Sequence, residues 1–328
     1  MSDLSVIVEN ALALQTPPAA ERHPAVVYLA ALASPQSVRT LRAALNRLAD
    51  LLLPALAESL PPETRRERYR LIQWEALRYA HTQALRARLL ESGAPATANK
   101  TLAALRGVLG AAYEMGLMNG EDYQRAVRVK NVRSTTLPKG RDLKLGEIAA
   151  LAAACKADPS PAGRRDAALL GVLYTCGLRR AEVAALDVAD YQPESGQLRV
   201  LQGKGRKART VYVSGGAQAA LAAWLHVRGT QPGALFTPVL KSGDLRLCPM
   251  TAQAIYYRLK TRAHQAGVRA FSPHDLRRTF VGDLLERGAD IATVAKLAGH
   301  ADVQTTARYD RRAEDSKRKA SELLHFPF

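Results

Sequence analysis

The chain is poor in several things, and each shortage removes a class of protein. Its 328 residues hold three cysteines, Cys155, Cys176 and Cys248, far apart and without the paired spacing of a zinc site or a disulfide framework. They read as reduced, mostly buried thiols in a cytoplasmic protein. No apolar run approaches the roughly 18 residues of a membrane span. The opening stretch, MSDLSVIVENALAL, has no basic n-region and carries acids, so it is not expected to be a signal peptide. There is no internal repeat, no low-complexity segment and no carboxylate cluster suited to a catalytic metal. Acids are also scarce: 30 Asp and Glu against 47 Lys and Arg, a formal net charge of +17. That excess implies a polyanionic partner, and nucleic acid is the first expectation. Both parts share it: residues 1–140 carry 18 bases against 12 acids (+6), and the remainder 29 against 18 (+11).

A chain of this length is expected to form two domains. Residues 1–130 read as a helical bundle. A short helix is predicted over 24–32, and a second follows the Ser34-Pro35 start with Val38, Leu41, Leu45, Leu48 and Leu52 on one stripe. Trp74, Leu77, Leu85 and Leu89 predict a third helix, stopped at Gly93. The fourth spans Thr97 to Tyr113, with Leu102, Leu105 and Leu109 in register. Residues 131–142 lack periodicity and read as a basic linker carrying Lys130, Arg133, Lys139 and Arg141 at or near it, cations that could follow a phosphate backbone. Residues 143–328 are expected to be mainly α with a small antiparallel sheet. Helices are predicted at 145–156, 162–177, 215–228, 250–266, 273–287, 290–298 and 302–309. The stretches 197–201 and 209–213 alternate like paired strands joined by a turn at 202–207.

The residues suited to chemistry lie in this second part. Ser272-Pro273-His274-Asp275-Leu276-Arg277 is a helix start with a cap, a first-position proline and a capping-box acid. His274 and Arg277 share a face there, beside backbone N–H groups that favour an anion. Arg179 follows a glycine turn, and Glu182 three residues on can hold its guanidinium; as a bare helix ion pair this is worth only about 0.3–0.5 kcal/mol. Lys204 sits between Gly203 and Gly205 at a hairpin tip. Gly299-His300 ends a helix, and Tyr309 stands nine residues beyond His300. Each piece alone is an ordinary surface or packing feature. Together, two guanidiniums, two imidazoles, an ammonium and a phenol suit attack on a phosphodiester.

In order and spacing, Gly177-Leu178-Arg179-x-x-Glu182, Gly203-Lys204-Gly205, His274-x-x-Arg277, Gly299-His300 and Tyr309 resemble the tyrosine recombinase (integrase) family, in particular its Xer-type and simple phage-type members. The resemblance covers about residues 140–328. It implies a two-domain, C-shaped clamp around duplex DNA, with a helical core-binding domain ahead of the catalytic domain. Arg179, Lys204, His274, Arg277, His300 and Tyr309 would be catalytic and Glu182 supporting. DNA contacts would come from Thr97, Asn99 and Lys100, from Arg133, Lys139 and Arg141, and from Arg206 and Lys207. A tail carrying Leu323, Leu324 and Phe326 would dock on a neighbouring subunit. The family needs no cofactor, neither metal nor ATP. It acts as a tetramer on two DNA sites, as a homo-oligomer or with a paralogous recombinase, in the cytoplasm at the nucleoid. Its roles run from chromosome-dimer resolution and partition to plasmid, phage or transposon DNA. No arm-binding domain is visible before residue 20. Cys176 stands where many relatives carry threonine, and a thiol can pack there as a hydroxyl does. The alternatives are a type IB topoisomerase-like DNA-relaxing enzyme and a non-catalytic architectural DNA-binding protein.

Overall fold

A computed structural model describes residues 12–14, 16–54, 60–91, 93–133, 140–201 and 208–309. The chain divides into two compact units, Met1–Leu137 and Pro138–Phe328. The described residues are mostly helical, with one three-stranded antiparallel sheet.

Unit 1 is built from α1 (Pro24–Ala30), α2 (Pro35–Leu52), α3 (Pro62–Arg65), α4 (Tyr79–Glu91), α5 (Pro95–Glu114) and α6 (Gly120–Ala126). Local chemistry sets the starts. Proline occupies the first turn of α1, α2 and α5, where its missing N–H costs nothing. Ser34 Oγ accepts from the Ser37 N–H, and Asn119 Oδ1 from the Asp122 N–H at 2.8 Å. The apolar stripes meet in one core, where Leu45, Leu48, Trp74, Leu102, Leu105 and Leu109 are fully buried. Each such side chain contributes about 1.5–3 kcal/mol by leaving water. The predicted third helix needs correction. Trp74–Ala76 is a tight 3-10 turn, Leu77 is extended, and α4 begins only at Tyr79. The Trp74 indole donates to the Tyr69 carbonyl at 2.9 Å, which ties that turn back to the 3-10 turn at Arg68–Leu71. Leu77, Leu85 and Leu89 still reach the core, so the apolar spacing is right about burial and wrong about the element.

Unit 2 contains α7 (Leu145–Lys156), α8 (Pro161–Cys176), α9 (Arg180–Ala184), β1 (Tyr191–Gln192), β2 (Gln197–Val200), β3 (Arg209–Tyr212), α10 (Gly215–Arg228), α11 (Ala252–Gln265), α12 (Pro273–Glu286), α13 (Ile291–Ala298) and α14 (Val303–Ala307). The sheet runs β1-β2-β3, with Leu198 opposite Val211 and Val200 opposite Arg209. Leu198, Val200 and Val211 turn inward, as period-two alternation requires. The two-residue β1 is too short to leave a period in the sequence.

Helices α8 and α10 approach closely because Gly171 faces Ala217; a Cβ at Gly171 would lie 2.9 Å from that of Ala217. A buried ionic knot ties α8 to α11. Asp166 accepts from Arg165 Nε and Nη2 at 2.9 and 2.7 Å and from Arg262 Nε at 2.9 Å, and Arg262 Nη2 reaches Asp158 at 2.6 Å. The chain from 140 to 143 is fastened along α12. The Arg141 N–H donates to Asp275 Oδ1 (3.0 Å) and the Leu143 N–H to Thr279 Oγ1 (2.9 Å).

Candidate active site

Helix α8 ends at Gly177, in the left-handed region at φ 58°, and a Cβ there would run into the Phe280 ring. The turn it makes brings Arg179 to the N-terminus of α9. Glu182 is the pivot. Its Oε2 accepts from the Arg179 N–H (2.8 Å) and its Oε1 from Arg179 Nη1 (2.8 Å). From β3, Arg209 Nη1 and Nη2 bond the same carboxylate at 3.1 and 2.8 Å. Burial alone would push the Glu182 carboxyl up, but the Arg209 and Arg179 hydrogen bonds outweigh it and hold the group below the usual range. Two guanidiniums thus surround one ionised, buried carboxylate.

Arg209 and Arg179 both extend to the end of α13. Arg209 Nε donates to the Leu297 carbonyl (2.9 Å), and Arg179 Nη2 to that of Gly299 (3.1 Å). Gly299 ends α13 in the left-handed conformation, φ 65°, and a side chain there would strike the Arg209 guanidinium. His300 is carried out by this cap. Its Nδ1 lies 2.7 Å from Thr306 Oγ1, and burial, followed by the Arg277 and Arg179 charges, lowers its pKa to about 4. His300 is therefore neutral at pH 7.

The Ser272 cap forms as the sequence predicts. The Ser272 N–H donates to Asp275 Oδ2 (2.7 Å), and the Asp275 N–H returns to Ser272 Oγ (3.4 Å). His274 and Arg277 line one cleft with Arg179, Arg180 and Tyr256, of about 360 Å³. His274 is open to the cleft, yet desolvation by its neighbours and the Arg277 charge lower its pKa. Arg277 is 3% exposed and its Nη1 donates to the Gly177 carbonyl at 2.8 Å. Its Nη2 is buried and makes no hydrogen bond among the described residues. Burial first, and the Arg179 charge second, push the Arg277 pKa down to about 10, which leaves it cationic.

Tyr309 follows α14 in a turn fixed by its N–H to the Thr306 carbonyl (2.9 Å). Its ring lies 6.4 Å from that of His300, at 21° between planes, and the Arg278 guanidinium carbon sits 5.5 Å from its centroid. The structure thus brings Arg179, Glu182, His274, Arg277, His300 and Tyr309 into one neighbourhood of unit 2. Lys204, Arg206, Lys207, Lys139, Leu323, Leu324 and Phe326 lie outside the described residues.

Several candidates turn out to hold the protein itself. Arg141, expected on a phosphate, is spent internally: Nη1 bonds Glu147 (2.8 Å), Nη2 bonds the Arg269 carbonyl (2.5 Å), and the side chain is 16% exposed. Asn99 clamps Val132 through both backbone groups, at 2.9 and 2.6 Å. Thr97, Lys100 and Arg133 are exposed on unit 1. Cys176 is buried, its thiol near 11 through desolvation, and it donates to the Tyr212 carbonyl at 3.5 Å; it packs as a hydroxyl would. Sequence reasoning missed Arg209, Arg278 and Thr306. The partners of Arg209 and Arg278 lie 88 and 136 positions away, while Thr306 meets His300 six positions off, and no local pattern marks any of them. Among the described residues no group of His, Cys, Asp and Glu could hold a metal ion, and no helix is long and apolar enough to cross a membrane.

Residues 141–316 match the Phage integrase family. The chain is 41% identical over 155 residues to tyrosine recombinase XerC of Chromohalobacter salexigens, covering 47% of this chain and 50% of that one. It is 34% identical over 217 residues to tyrosine recombinase XerD of Rickettsia conorii, covering 60% and 69%. The chain spans about half the length of the first curated relatives it matches. Its fold is similar to that of a lambda integrase tetramer bound to a Holliday junction, with a TM-score of 0.61 at 13% identity, over 95% of this chain and 81% of that one.

Proposed function

Since the chain belongs to the phage integrase family, the tyrosine recombinases, with Xer-type relatives, we propose that it cuts and rejoins double-stranded DNA at specific sites through a 3′-phosphotyrosine on Tyr309. The observation that carries this reading is the buried, unsatisfied Nη2 of Arg277 in a cleft shared with Arg179 and His274, with the Tyr309 ring close to His300. A cationic donor without a partner is costly unless an anion comes to it.

The chemistry follows from the groups. Arg179 and Arg277 fork onto the non-bridging oxygens of the scissile phosphate. His300, neutral and held through Nδ1 at 2.7 Å from Thr306 Oγ1, acts in the tautomer that carries its proton on Nε2, which donates to the charge that grows in the transition state. The Tyr309 Oη–P bond forms as the P–O5′ bond breaks. The phenol proton passes to His274, whose pKa is lowered by desolvation and then by the Arg277 charge, and Lys204 gives a proton to the departing 5′ oxygen. The role of Lys204 rests on its Gly203-Lys204-Gly205 setting. One phosphoester bond replaces another, so no ATP is consumed, and the reverse attack by a 5′ hydroxyl from a second duplex rejoins the strand. We place the reaction in a tetramer on two DNA sites, of this chain alone or with a paralogous recombinase. The lambda integrase tetramer on a Holliday junction is the arrangement carried over.

The test begins with DNA recovered in covalent adducts from cells, whose sequence supplies the site. A plasmid carrying two copies of that site should yield recombinant circles. Relaxed circles without recombinants would assign a DNA-relaxing activity instead.

A further inference from the structure

We propose that Arg278, braced by Asp142, is a positioning residue for Tyr309, holding the phenol ring where it can reach the scissile phosphate. The inference rests on the phosphotyrosine reading above and adds a residue that reading does not use.

Arg277 and Arg278 are consecutive on α12, so they leave the helix about 100° apart. Arg277 turns to the Gly177 carbonyl and the cleft. Arg278 turns to Tyr309, its guanidinium carbon 5.5 Å from the ring centroid, within the ~6 Å reach of a cation–π contact. Its Nε is 3.2 Å from Asp142 Oδ1, and both side chains are only 20% exposed. That pair is partly desolvated, so it is screened less than a surface ion pair.

The brace has a fixed register. Asp142 stands between Arg141 and Leu143, whose N–H groups are bonded to Asp275 and Thr279 one turn apart on α12. Gly140 precedes them at φ 121°, and a Cβ there would lie 2.6 Å from Asp275 Oδ1 and 3.6 Å from Arg278 Nη1. Asp142 is thus delivered to Arg278 by backbone anchors on both sides. Tyr309 needs such support. It lies beyond the last residue of the five-residue α14, and in-line attack demands that its oxygen approach phosphorus to about 3–3.5 Å with correct alignment. A displacement of about 1 Å can cost about 100-fold in rate.

The experiment is single-turnover cleavage of nicked suicide DNA by the full chain. Variants are R278L, R278K, D142N and the R278L/D142N pair, with thermal melting and DNA affinity measured alongside. R278L should form adduct about 10- to 100-fold more slowly, with affinity within a few-fold of wild type. R278K retains the cation and should recover most of the rate. D142N should lose less than R278L, and the double variant should be no slower than R278L alone, as for two residues acting in one chain of contacts. Should R278L melt early, R278K and D142N carry the same comparison. DNA with sulfur as the 5′ bridging atom separates the roles. Its thiolate leaves without a proton, so it should relieve K204A and leave the R278L defect in place. Normal wild-type adduct with R278L at wild-type rate, an additive double variant, or an R278L defect relieved by the sulfur substrate would each overturn the inference alone. A wild-type protein that never forms adduct would overturn the phosphotyrosine reading beneath it.

Discussion

Arg277 holds a full positive charge in a place where only one side of its guanidinium is satisfied by protein. Lysine at that position keeps the charge and loses the planar fork. Arg277→Lys should therefore leave DNA affinity within a few-fold and reduce adduct formation by about 10²–10³, the usual cost of one transition-state donor. Thr306 is buried and its Oγ1 holds His300 Nδ1 at 2.7 Å, which orients the ring. Thr306→Val should slow cleavage by about tenfold, and Thr306→Ser should restore it. Another histidine shows the same physics in a different use. His23 in unit 1 is completely buried, with Nε2 3.0 Å from the Arg70 carbonyl and Nδ1 accepting from the Ala25 N–H. Desolvation lowers its pKa against the opposing pull of the Arg70 carbonyl. A base whose folded pKa lies below its unfolded value near 6.5 contributes stability that is complete above pH 6.5 and is lost as pH falls through the folded pKa. The urea midpoint of unit 1 should drop between pH 7.5 and 5.5, and His23→Asn should weaken that dependence.

At the level of elements, what was legible in the sequence is what short-range chemistry decides. Ser272-Pro273 announces α12, Gly177 and Gly299 announce the ends of α8 and α13, and the alternation at 197–201 and 209–213 announces the β2–β3 pair. Trp74-to-Leu89 looked like one helix because apolar spacing reports burial, and a 3-10 turn followed by a helix can bury the same four side chains. Thr306 bonds His300 only six positions away and is one of several ordinary hydroxyls in that stretch, whereas Arg209 and Arg278 stayed invisible because their work is done with partners that only the fold brings near. The same reason hides the Asp166 knot, which joins α8 to α11 through two buried guanidiniums. Removing the carboxylate leaves the buried Arg165 without its counter-ion, while Arg262 keeps Asp158, so Asp166→Ala should cost about 3–5 kcal/mol in urea unfolding of unit 2. Gly177→Ala demands both a left-handed alanine and room that Phe280 occupies; it should destabilise unit 2 by more than about 1 kcal/mol.

For the molecule as a whole, two tryptophans make the two units separately observable: Trp74 is buried in unit 1 and Trp224 in unit 2. Trp224→Phe leaves a reporter for the His23 experiment, and Trp74→Phe one for the Asp166 experiment. The charge of +17 is spread over both units. Each phosphate neutralised contributes about −0.9 to the log–log dependence of affinity on salt, so a slope of about −5 or steeper is expected for the full chain and a nearly flat one would contradict binding through both. The central claim, however, concerns one atom. Incubating the protein with suicide DNA that carries its site, digesting, and locating the modified residue by mass spectrometry tests it most directly. The account predicts a 3′-phosphonucleotide on the oxygen of Tyr309, and no adduct from Tyr309→Phe at nearly unchanged DNA affinity. An adduct on another residue, or undiminished adduct from Tyr309→Phe, would contradict it.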